Sequence, residues 1–321
     1  MMKAVRVHEF GDPEVMHVEE VPDPRPGPGQ VVVNIKAIGI NPVDTYIRSG
    51  IYHIKPQLPY TPGTDAAGRI ESIGEGVDHV STGDRVYTAG SISGTYAQET
   101  LCDAAKVHVL PETISFAQGA GINTPYSASY YALFVRAKAV PGEVVLIHGA
   151  TGGVGVAALQ WARGSGLTII ATGGSEAGRR MLAEQGARHV LDHRSPNHQE
   201  EVLTLTNGHG VDIILEMLAN INLGSDLNIL AKDGRVVIIG SRGPVEINPR
   251  DAMGRNASIL GMLVAAASER EIFSIHAAIG AGLENNILRP VVGRELPLAE
   301  ASRAHRLIME SSAYGKIVLI P

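Results

Sequence analysis

The stretch that most constrains this chain is V-L-I-H-G-A-T-G-G-V-G-V-A-A-L-Q at residues 145–160. An apolar run meets Gly149, Gly152, Gly153 and Gly155, and then alanines and leucine resume at helical spacing. In a strand that turns through bare backbone into a helix, each glycine has a separate task. The first permits the tight turn, the middle one lets a ligand approach the backbone, and the last lets the helix pack on the strand. The helix N-terminus offers unpaired N–H groups and a partial positive charge to an anion such as a dinucleotide pyrophosphate. The spacing Gly149-x-x-Gly152-x-x-Gly155 departs from the strict Gly-x-Gly-x-x-Gly form, and on its own it equally describes an ordinary strand-to-helix turn. No Lys-Ser/Thr pair follows the glycines, which excludes a kinase-type P-loop.

Context gives the turn its meaning. Residues 144–147, 168–172, 190–191, 213–215, 235–239 and 258–261 read as strands, and 154–166, 178–185, 200–205 and 223–230 read as helices between them. Such alternation predicts βαβ units on a parallel sheet. The first third reads differently. Runs 3–8, 30–40 and 68–73 are β-rich, the Pro-Gly clusters at 22–29 and 62–63 punctuate them, and 83–87 turns into another strand. Short strands with regular turn signals predict a compact β domain of the partly open barrel kind. Residues 115–120 and 126–136 read as helical. The tail from Ser268 carries a helix, then a second at 298–311, then a strand at 315–320 that returns to close the first domain. A length of 321 residues suits two domains.

Charge and cysteine content exclude several classes. Lys plus Arg is 27 and Asp plus Glu is 33, so a net charge of −6 gives no general attraction to nucleic acid or anionic lipid. The one cysteine, Cys102, makes no intrachain disulfide and no cysteine-rich metal site, and it fits a reducing compartment. No run approaches the roughly 18 apolar residues of a membrane span, and the N-terminus shows no signal-peptide pattern. The expectation is a soluble cytoplasmic protein without a membrane partner.

The tip of the second strand discriminates between coenzymes. An NAD site places an acidic residue there for the ribose hydroxyls. Here the tip is Ala171-Thr172-Gly173-Gly174-Ser175, with Glu176 one step beyond, in the first turn of a helix that Ser175 caps. Arg179, Arg180, His193 and Arg194 stand nearby. An uncharged tip with cations around it predicts NADP(H), although the arginines equally describe a solvated helix face.

A resemblance covers nearly the whole chain. Its carriers are Asn41-Pro42-Val43-Asp44-Thr45-Tyr46-Ile47-Arg48-Ser49-Gly50, Leu58-Pro59-Tyr60-Thr61-Pro62-Gly63, His148-Gly149-Ala150-Thr151-Gly152-Gly153-Val154-Gly155, Glu216-Met217-Leu218-Ala219-Asn220, and Gly240-Ser241-Arg242-Gly243 followed by Glu246-Ile247-Asn248-Pro249-Arg250-Asp251. In this order they resemble the zeta-crystallin, or quinone oxidoreductase, branch of the medium-chain dehydrogenase/reductase superfamily. The resemblance implies an α/β fold with a GroES-like catalytic domain (1–122 and 267–321) and a Rossmann domain (123–266). It implies NADPH in a cleft between them, reduction of quinones with ortho-quinones favoured, and a homodimer or homotetramer. Carried over by position, it places Tyr46 by the nicotinamide and Thr151, Gly152, Gly153, Val154 and Gly155 around the pyrophosphate. It places Gly174 and His193 at the adenosine phosphate, where the tip reading adds Ser175, Arg179 and Arg194 as coenzyme candidates, and Asn222, Ile239, Gly240, Ser241 and Arg242 at the remaining coenzyme contacts. One position departs: Pro125-Tyr126-Ser127-Ala128-Ser129-Tyr130 has Ala128 where the family often has Thr. Some relatives bind AU-rich RNA or serve as lens proteins, and the net charge of −6 gives the RNA role little support.

Zinc enzymes of the same superfamily use a cysteine and a Gly-His-Glu histidine. Here Gly63-Thr64-Asp65 and Gly39-Ile40-Asn41-Pro42 supply neither, so no zinc is expected. A quinone needs less help than an alcohol or a simple ketone, because the charge it gains spreads over its ring and oxygens. Positioning and hydrogen-bond donors then suffice. Asn41, Tyr46 and Arg48 are the candidate catalytic donors. Asn41 also reads as a turn residue, Tyr46 as a packed wall and Arg48 as a surface or subunit-contact residue. Asp44 receives no catalytic role, and Cys102 reads as buried packing. The same donor loop would also suit an enone oxygen, so an enoyl or alkenal double-bond reductase stands as the second reading.

Overall fold

The computed structural model describes residues 1–310 and 314–321. They form two compact units: Met1–Thr124 with 289–310 and Gly315–Pro321, and Pro125–Leu288.

The first unit begins with β1 (Met2–Val7) and β2 (Met16–Val21), an antiparallel pair. Then come β3 (Gln30–Gly39), α1 (Pro42–Arg48), β4 (Asp65–Ile73), β5 (Arg85–Thr88), β6 (Glu99–Asp103), β7 (Val107–Val109) and α2 (Phe116–Gly119). The long strand β3 is the spine, pairing antiparallel with β4 through Asn34↔Arg69 and Ala37↔Ala67 and with β6 through Val32↔Leu101. Gly68 is required where β4 crosses β3, because a Cβ there would lie 2.0 Å from the Asn34 carbonyl oxygen. Val31, Val33, Ile70, Val86, Cys102 and Val107 build one core. Ile35, Ile38, Ile40, Tyr96 and Leu319 belong to another. Burial pushes the Cys102 thiol up to about 12, which fits the expected packing role. Ser115 and Gln118 cap α2 reciprocally, with the Ser115 hydroxyl accepting from the Gln118 backbone N–H and the Gln118 side-chain Oε1 accepting from the Ser115 N–H.

The second unit continues α3 (Asn123–Tyr130) through a wide π-helical turn at Tyr131–Arg136. It then alternates β8 (Val144–Ile147), α4 (Gly153–Gly164), β9 (Thr168–Thr172), α5 (Glu176–Glu184), β10 (His189–Leu191), α6 (His198–Leu205), β11 (Val211–Glu216), α7 (Ala219–Asp226), β12 (Leu230–Ile238), α8 (Pro249–Met253) and β13 (Ser258–Gly261). The six strands are all parallel in the order β10-β9-β8-β11-β12-β13. That is the order of a doubly wound dinucleotide-binding sheet, with its switch point between β8 and β11. Leu146, Ile170, Ile214 and Val236 are the buried heart of this sheet, as expected for strands covered on both faces.

A long helix, α9 (Glu269–Glu284), follows, its Ser268 hydroxyl accepting from the Glu271 N–H. The resemblance predicts a return to the first domain at 267. Instead α9 stays with the second unit and the return comes after Leu288. The reason lies in its buried stripe of Ile275, Ile279 and Leu283, which needs a partner surface as any core residue does. The chain then adds β14 (Val292–Pro297), α10 (Ala301–Leu307) and β15 (Lys316–Ile320), and β15 pairs parallel with β14 and antiparallel with β3.

Two further expectations need correction. The helix expected at 223–230 is α7, four residues earlier at each end, because β12 already begins at Leu230. The helix expected at 298–311 is a short turn at Leu298–Glu300 followed by α10, and its expected end at Ser311 lies outside the described residues.

Candidate dinucleotide site and donor loop

Register places the candidate coenzyme residues along one edge of the parallel sheet. Ile147 pairs with Ala171 and with Leu215, Thr172 with Leu191, and Glu216 with Ile238. The residues that follow are therefore neighbours at the carboxyl ends: Gly149 to Gly155, Gly173 to Ser175, His193 and Arg194, and Ile239 to Arg242. Asn222 joins them on α7. In open α/β sheets, ligands bind at this edge and at this switch point.

The glycine turn has the shape its sequence implies. Gly149 adopts φ +55°, a left-handed conformation natural to glycine. Gly152 caps α4 in an extended conformation and supplies no side-chain cap, so among the described residues the first-turn N–H groups lack the partner a capping side chain would give. A Cβ on Gly155 would lie 2.4 Å from the Ala150 Cα, so only glycine lets α4 sit this close to the turn. Thr151 is buried at 6 % exposure, its methyl packed where Cβ atoms on Gly173 and Gly178 would otherwise fall. Its side chain therefore locks β9 and α5 against the turn, leaving backbone N–H groups to meet an anion.

At the second strand tip, a Cβ on Gly174 would meet His193 Nε2 at 2.8 Å and Arg194 Nε at 3.2 Å. The bare glycine thus makes a shallow cradle walled by an imidazole and a guanidinium. Burial, with Arg194 and His148 adding to it against Asp192, holds His193 below its ordinary pKa and hence neutral. Asp192 takes the Arg194 N–H at 2.9 Å and the Arg179 Nη1 at 2.7 Å. Arg179 also donates to the Gly173 carbonyl at 3.2 Å, so it braces the tip from behind. Arg180 pairs with Glu176 on the exposed face of α5. Ser175 caps α5 by accepting the Gly178 N–H at 3.1 Å, as its sequence position implied. Arg194 is exposed, with its guanidinium beside Gly174. Ile239 and Gly240 donate their N–H groups to the Glu216 carbonyl, and the Arg242 N–H is taken by Asn220.

The departure at Ala128 lies in a helix held by other means. Ala128 is buried, the Ser129 hydroxyl donates to the Pro125 carbonyl at 2.8 Å, and Tyr126 donates to Gln160 at 2.8 Å.

The donor loop belongs to the first unit. Asn41, at 2 % exposure, spends both ends of its amide internally: Nδ2 donates to Asp65 at 2.9 Å, and Oδ1 accepts from the Lys316 ammonium at 2.5 Å. Its N–H goes to Asp44 at 2.9 Å. Arg48, at 6 % exposure, donates Nη1 to the Gly11 carbonyl at 3.0 Å, so it is an internal strut rather than a surface residue. Tyr46 is the partly buried member of the three, and its backbone carbonyl takes the N–H groups of Ile51 and Tyr52.

Behind this loop lies a polar core that sequence reasoning missed. Asp65 accepts from Asn41, Asn123 Nδ2 at 2.9 Å and the Thr124 hydroxyl at 2.8 Å, with Lys316 Nζ at 3.6 Å. Asp44 accepts from the Tyr96 hydroxyl, which also meets His305 Nε2 at 2.9 Å. Burial raises Asp44 to about 7 and drops His305 to about 3. Lys316 is lowered by burial, with Asp65 and Asp44 working against that fall. Asp65 and Lys316 lie 251 positions apart in sequence, and no local pattern signals their pairing.

The residues at the Gly63-Thr64-Asp65 run do not fit a zinc ion. A buried ammonium and five neutral donors, from Asn41, Thr64, Asn123 and the hydroxyl and N–H of Thr124, already surround Asp65, where a zinc site would need thiolate or imidazole ligands beside the carboxylate. Cys102 lies in the β6 core, its thiol directed to the Gly90 carbonyl.

Comparison with known proteins gives this geometry a lineage. Residues 27–112 match the alcohol dehydrogenase GroES-like domain family, and residues 153–277 match the family described as zinc-binding dehydrogenase. A pig (Sus scrofa) protein named quinone oxidoreductase is 47 % identical, over 100 % of this chain and 98 % of its own length. The structure of Escherichia coli quinone oxidoreductase complexed with NADPH is similar at TM-score 0.90 and 30 % identity, covering 99 % of this chain and all of that one. The CurK enoyl reductase structure reaches TM-score 0.90 at 26 % identity, with 99 % of each chain covered. This chain belongs to the zeta-crystallin, or quinone oxidoreductase, branch of the medium-chain dehydrogenase/reductase superfamily, and it is an oxidoreductase.

Proposed function

We propose that this chain reduces quinones with NADPH, without zinc, and that ortho-quinones are its better acceptors. The observation that carries the coenzyme choice is the Gly174 cradle: an uncharged strand tip walled by neutral His193 and the Arg194 guanidinium, with the Asp192 carboxylate beside it engaged by Arg179 and the Arg194 N–H. The related E. coli enzyme was crystallised with NADPH, and the pig relative carries the quinone oxidoreductase name.

NADPH, when bound, supplies a hydride, and one proton completes the conversion of quinone to hydroquinone. The protein's part is positional. Backbone N–H groups from Thr151 to Gly155 receive the pyrophosphate at the positive end of α4. Arg194 and the Gly174 backbone receive the ribose phosphate. Asn222, Ile239, Gly240, Ser241 and Arg242 line the remaining coenzyme contacts. Tyr46 offers a ring wall and a hydroxyl donor to the developing oxyanion. Asn41 and Arg48 act through α1, which their internal hydrogen bonds hold in place.

The partner we assign is a second copy of this chain. Among the described residues β13 pairs with β12 alone, and Ile259 on β13 and Leu263 just after it are exposed. Nothing favours RNA as a partner at net charge −6. No helix among the described residues is long and apolar enough to cross a membrane, and the proposed compartment is the cytoplasm. Similarity to an enoyl reductase keeps a second acceptor class in view.

A substrate panel tests the reading. NADPH with phenanthrenequinone should turn over faster than with an enoyl thioester or an alkenal, and prior dialysis against EDTA should not lower the rate. Faster turnover of the alkenes would sink the quinone assignment. Loss of activity on chelation, restored by zinc, would sink the metal-free one.

A further inference from the structure

We propose that His148, Glu216 and Asp226 form a proton-holding cluster beneath the glycine turn that positions the coenzyme, so that NADPH binding draws a proton into it. This rests on the NADPH reading above and adds a regulation of that same site.

The three residues come from the three elements that meet at the switch point. His148 follows β8 and immediately precedes Gly149, Glu216 ends β11, and Asp226 ends α7. All are buried, at 3 %, 0 % and 0 % exposure. A single imidazole nitrogen faces both acids: His148 Nε2 is 2.9 Å from Asp226 Oδ1 and 3.7 Å from Glu216 Oε2. Glu216 is tied onward to the site, accepting the Leu218 N–H and the Asn222 Nδ2 at 3.2 Å to each of its oxygens. Asp226 Oδ2 is buried with no hydrogen-bond partner among the described residues.

Proton counting follows from this geometry. One imidazolium opposite two carboxylates leaves a buried net negative charge directly under a turn that is to receive a pyrophosphate. Two acids this close to one another, with donor atoms all within 4.8 Å, resist ionising together. One further proton makes the cluster neutral and gives the orphan oxygen a role. The electrostatics agree. Burial opposes the charge on His148, but Asp226 and Glu216 outweigh it and hold its pKa above the ordinary value. Burial raises Glu216 to about 7, with the Asp226 charge adding to it and His148 opposing. Burial, with the His148 charge among the contributors, holds His193 below its ordinary pKa. A metal ion is a poorer occupant. Ligands around a tetrahedral zinc sit about 2.0–2.2 Å from it, which spreads them beyond the direct 2.9 Å hydrogen bond seen here.

An anion at the turn raises the proton affinity of the cluster, and by reciprocity the proton raises the anion's affinity. Glu216 holds its proton below about 7 and loses it above. NADPH affinity therefore falls as pH rises through neutrality.

The test compares the wild-type chain with Glu216→Gln by isothermal titration of NADPH in two buffers of different ionisation heat. The 2′-phosphate titrates in both proteins and cancels in the comparison. Wild type should take up more protons than the variant at neutral pH. Its Kd should weaken roughly tenfold more than the variant's between about pH 6 and about pH 8, since site couplings are typically 5–150-fold. Asp226→Asn, checked for native circular dichroism, should flatten the profile likewise. Equal proton uptake and parallel pH profiles in proteins that bind NADPH would overturn the cluster proposal alone. Absence of NADPH binding by wild type would overturn the coenzyme reading and this proposal together. Stoichiometric metal in the purified wild type that is lost in Asp226→Asn would overturn it as well.

Discussion

Gly155→Ala puts one methyl group where the structure has no room for it. The new Cβ would lie 2.4 Å from the Ala150 Cα and 2.7 Å from its carbonyl carbon and oxygen. Non-bonded carbons settle at about 3.5–4.0 Å, so α4 and the turn must part by roughly 1 Å. Backbone cannot swing aside as a side chain can. Overpacking of this kind costs about 1–3 kcal/mol, and the displaced groups are the N–H donors meant for the pyrophosphate. At about 1.4 kcal/mol per decade, NADPH should bind roughly 5- to 140-fold more weakly if the strain falls on the bound geometry. Gly243→Ala is the control, because nothing lies within 4 Å of its Cβ. Isothermal titration gives the affinities, and thermal melting separates lost binding from lost folding. A Gly155→Ala protein that binds NADPH within twofold of wild type and melts at the same temperature would refute the close-approach argument.

Three other perturbations probe separate parts of the account. Arg194→Ala should reduce the preference for NADPH over NADH by about tenfold, as loss of one charge-assisted hydrogen bond at an exposed site implies; an unchanged ratio of kcat/KM values would remove Arg194 from the phosphate site. Asp65→Asn removes the carboxylate that Lys316 Nζ approaches at 3.6 Å and should cost about 3–5 kcal/mol in denaturant unfolding; a loss below about 1 kcal/mol would show that Asn41 and Asp44 satisfy the lysine without it. Asp44, raised by burial from its ordinary 3.8 to about 7, holds its proton in the folded state after the unfolded chain has released it. Its contribution to stability therefore falls as pH rises from about 4 to about 7. Asp44→Asn should flatten that part of the stability curve, and an unaltered slope would contradict the assignment.

Much of the second unit was legible because its determinants are local. Glycines at 149, 152 and 155, a strand of four apolar residues and small residues on the next helix fix a βαβ turn within 20 positions. β8, β9 and β13 run as their apolar stretches indicate. The first unit was harder to read. β2 (M-H-V-E-E-V) is too polar to announce itself, and β6 and β7 are short and carry their partners far away in sequence. At the site, residue types alone suggested Asn41 and Arg48 as donors to substrate. They could not show that Lys316, at the far end of the chain, takes the Asn41 oxygen, or that Arg48 turns inward to Gly11. The acids at 216 and 226 went unread for the same reason: a buried carboxylate is expensive, and only the folded switch point reveals the imidazole that holds them.

The claim beneath all of this is that reducing equivalents pass from a coenzyme held at the carboxyl edge of the parallel sheet directly to a quinone. Rapid mixing under nitrogen of enzyme, NADPH and an ortho-quinone, with the C4 hydrogen of the nicotinamide replaced by deuterium in a parallel run, tests it most directly. The account predicts bleaching of the reduced-nicotinamide absorbance that saturates with NADPH and slows on deuteration. Quinone reduction that shows no saturation with coenzyme, or no bleaching with any quinone tried, would contradict it.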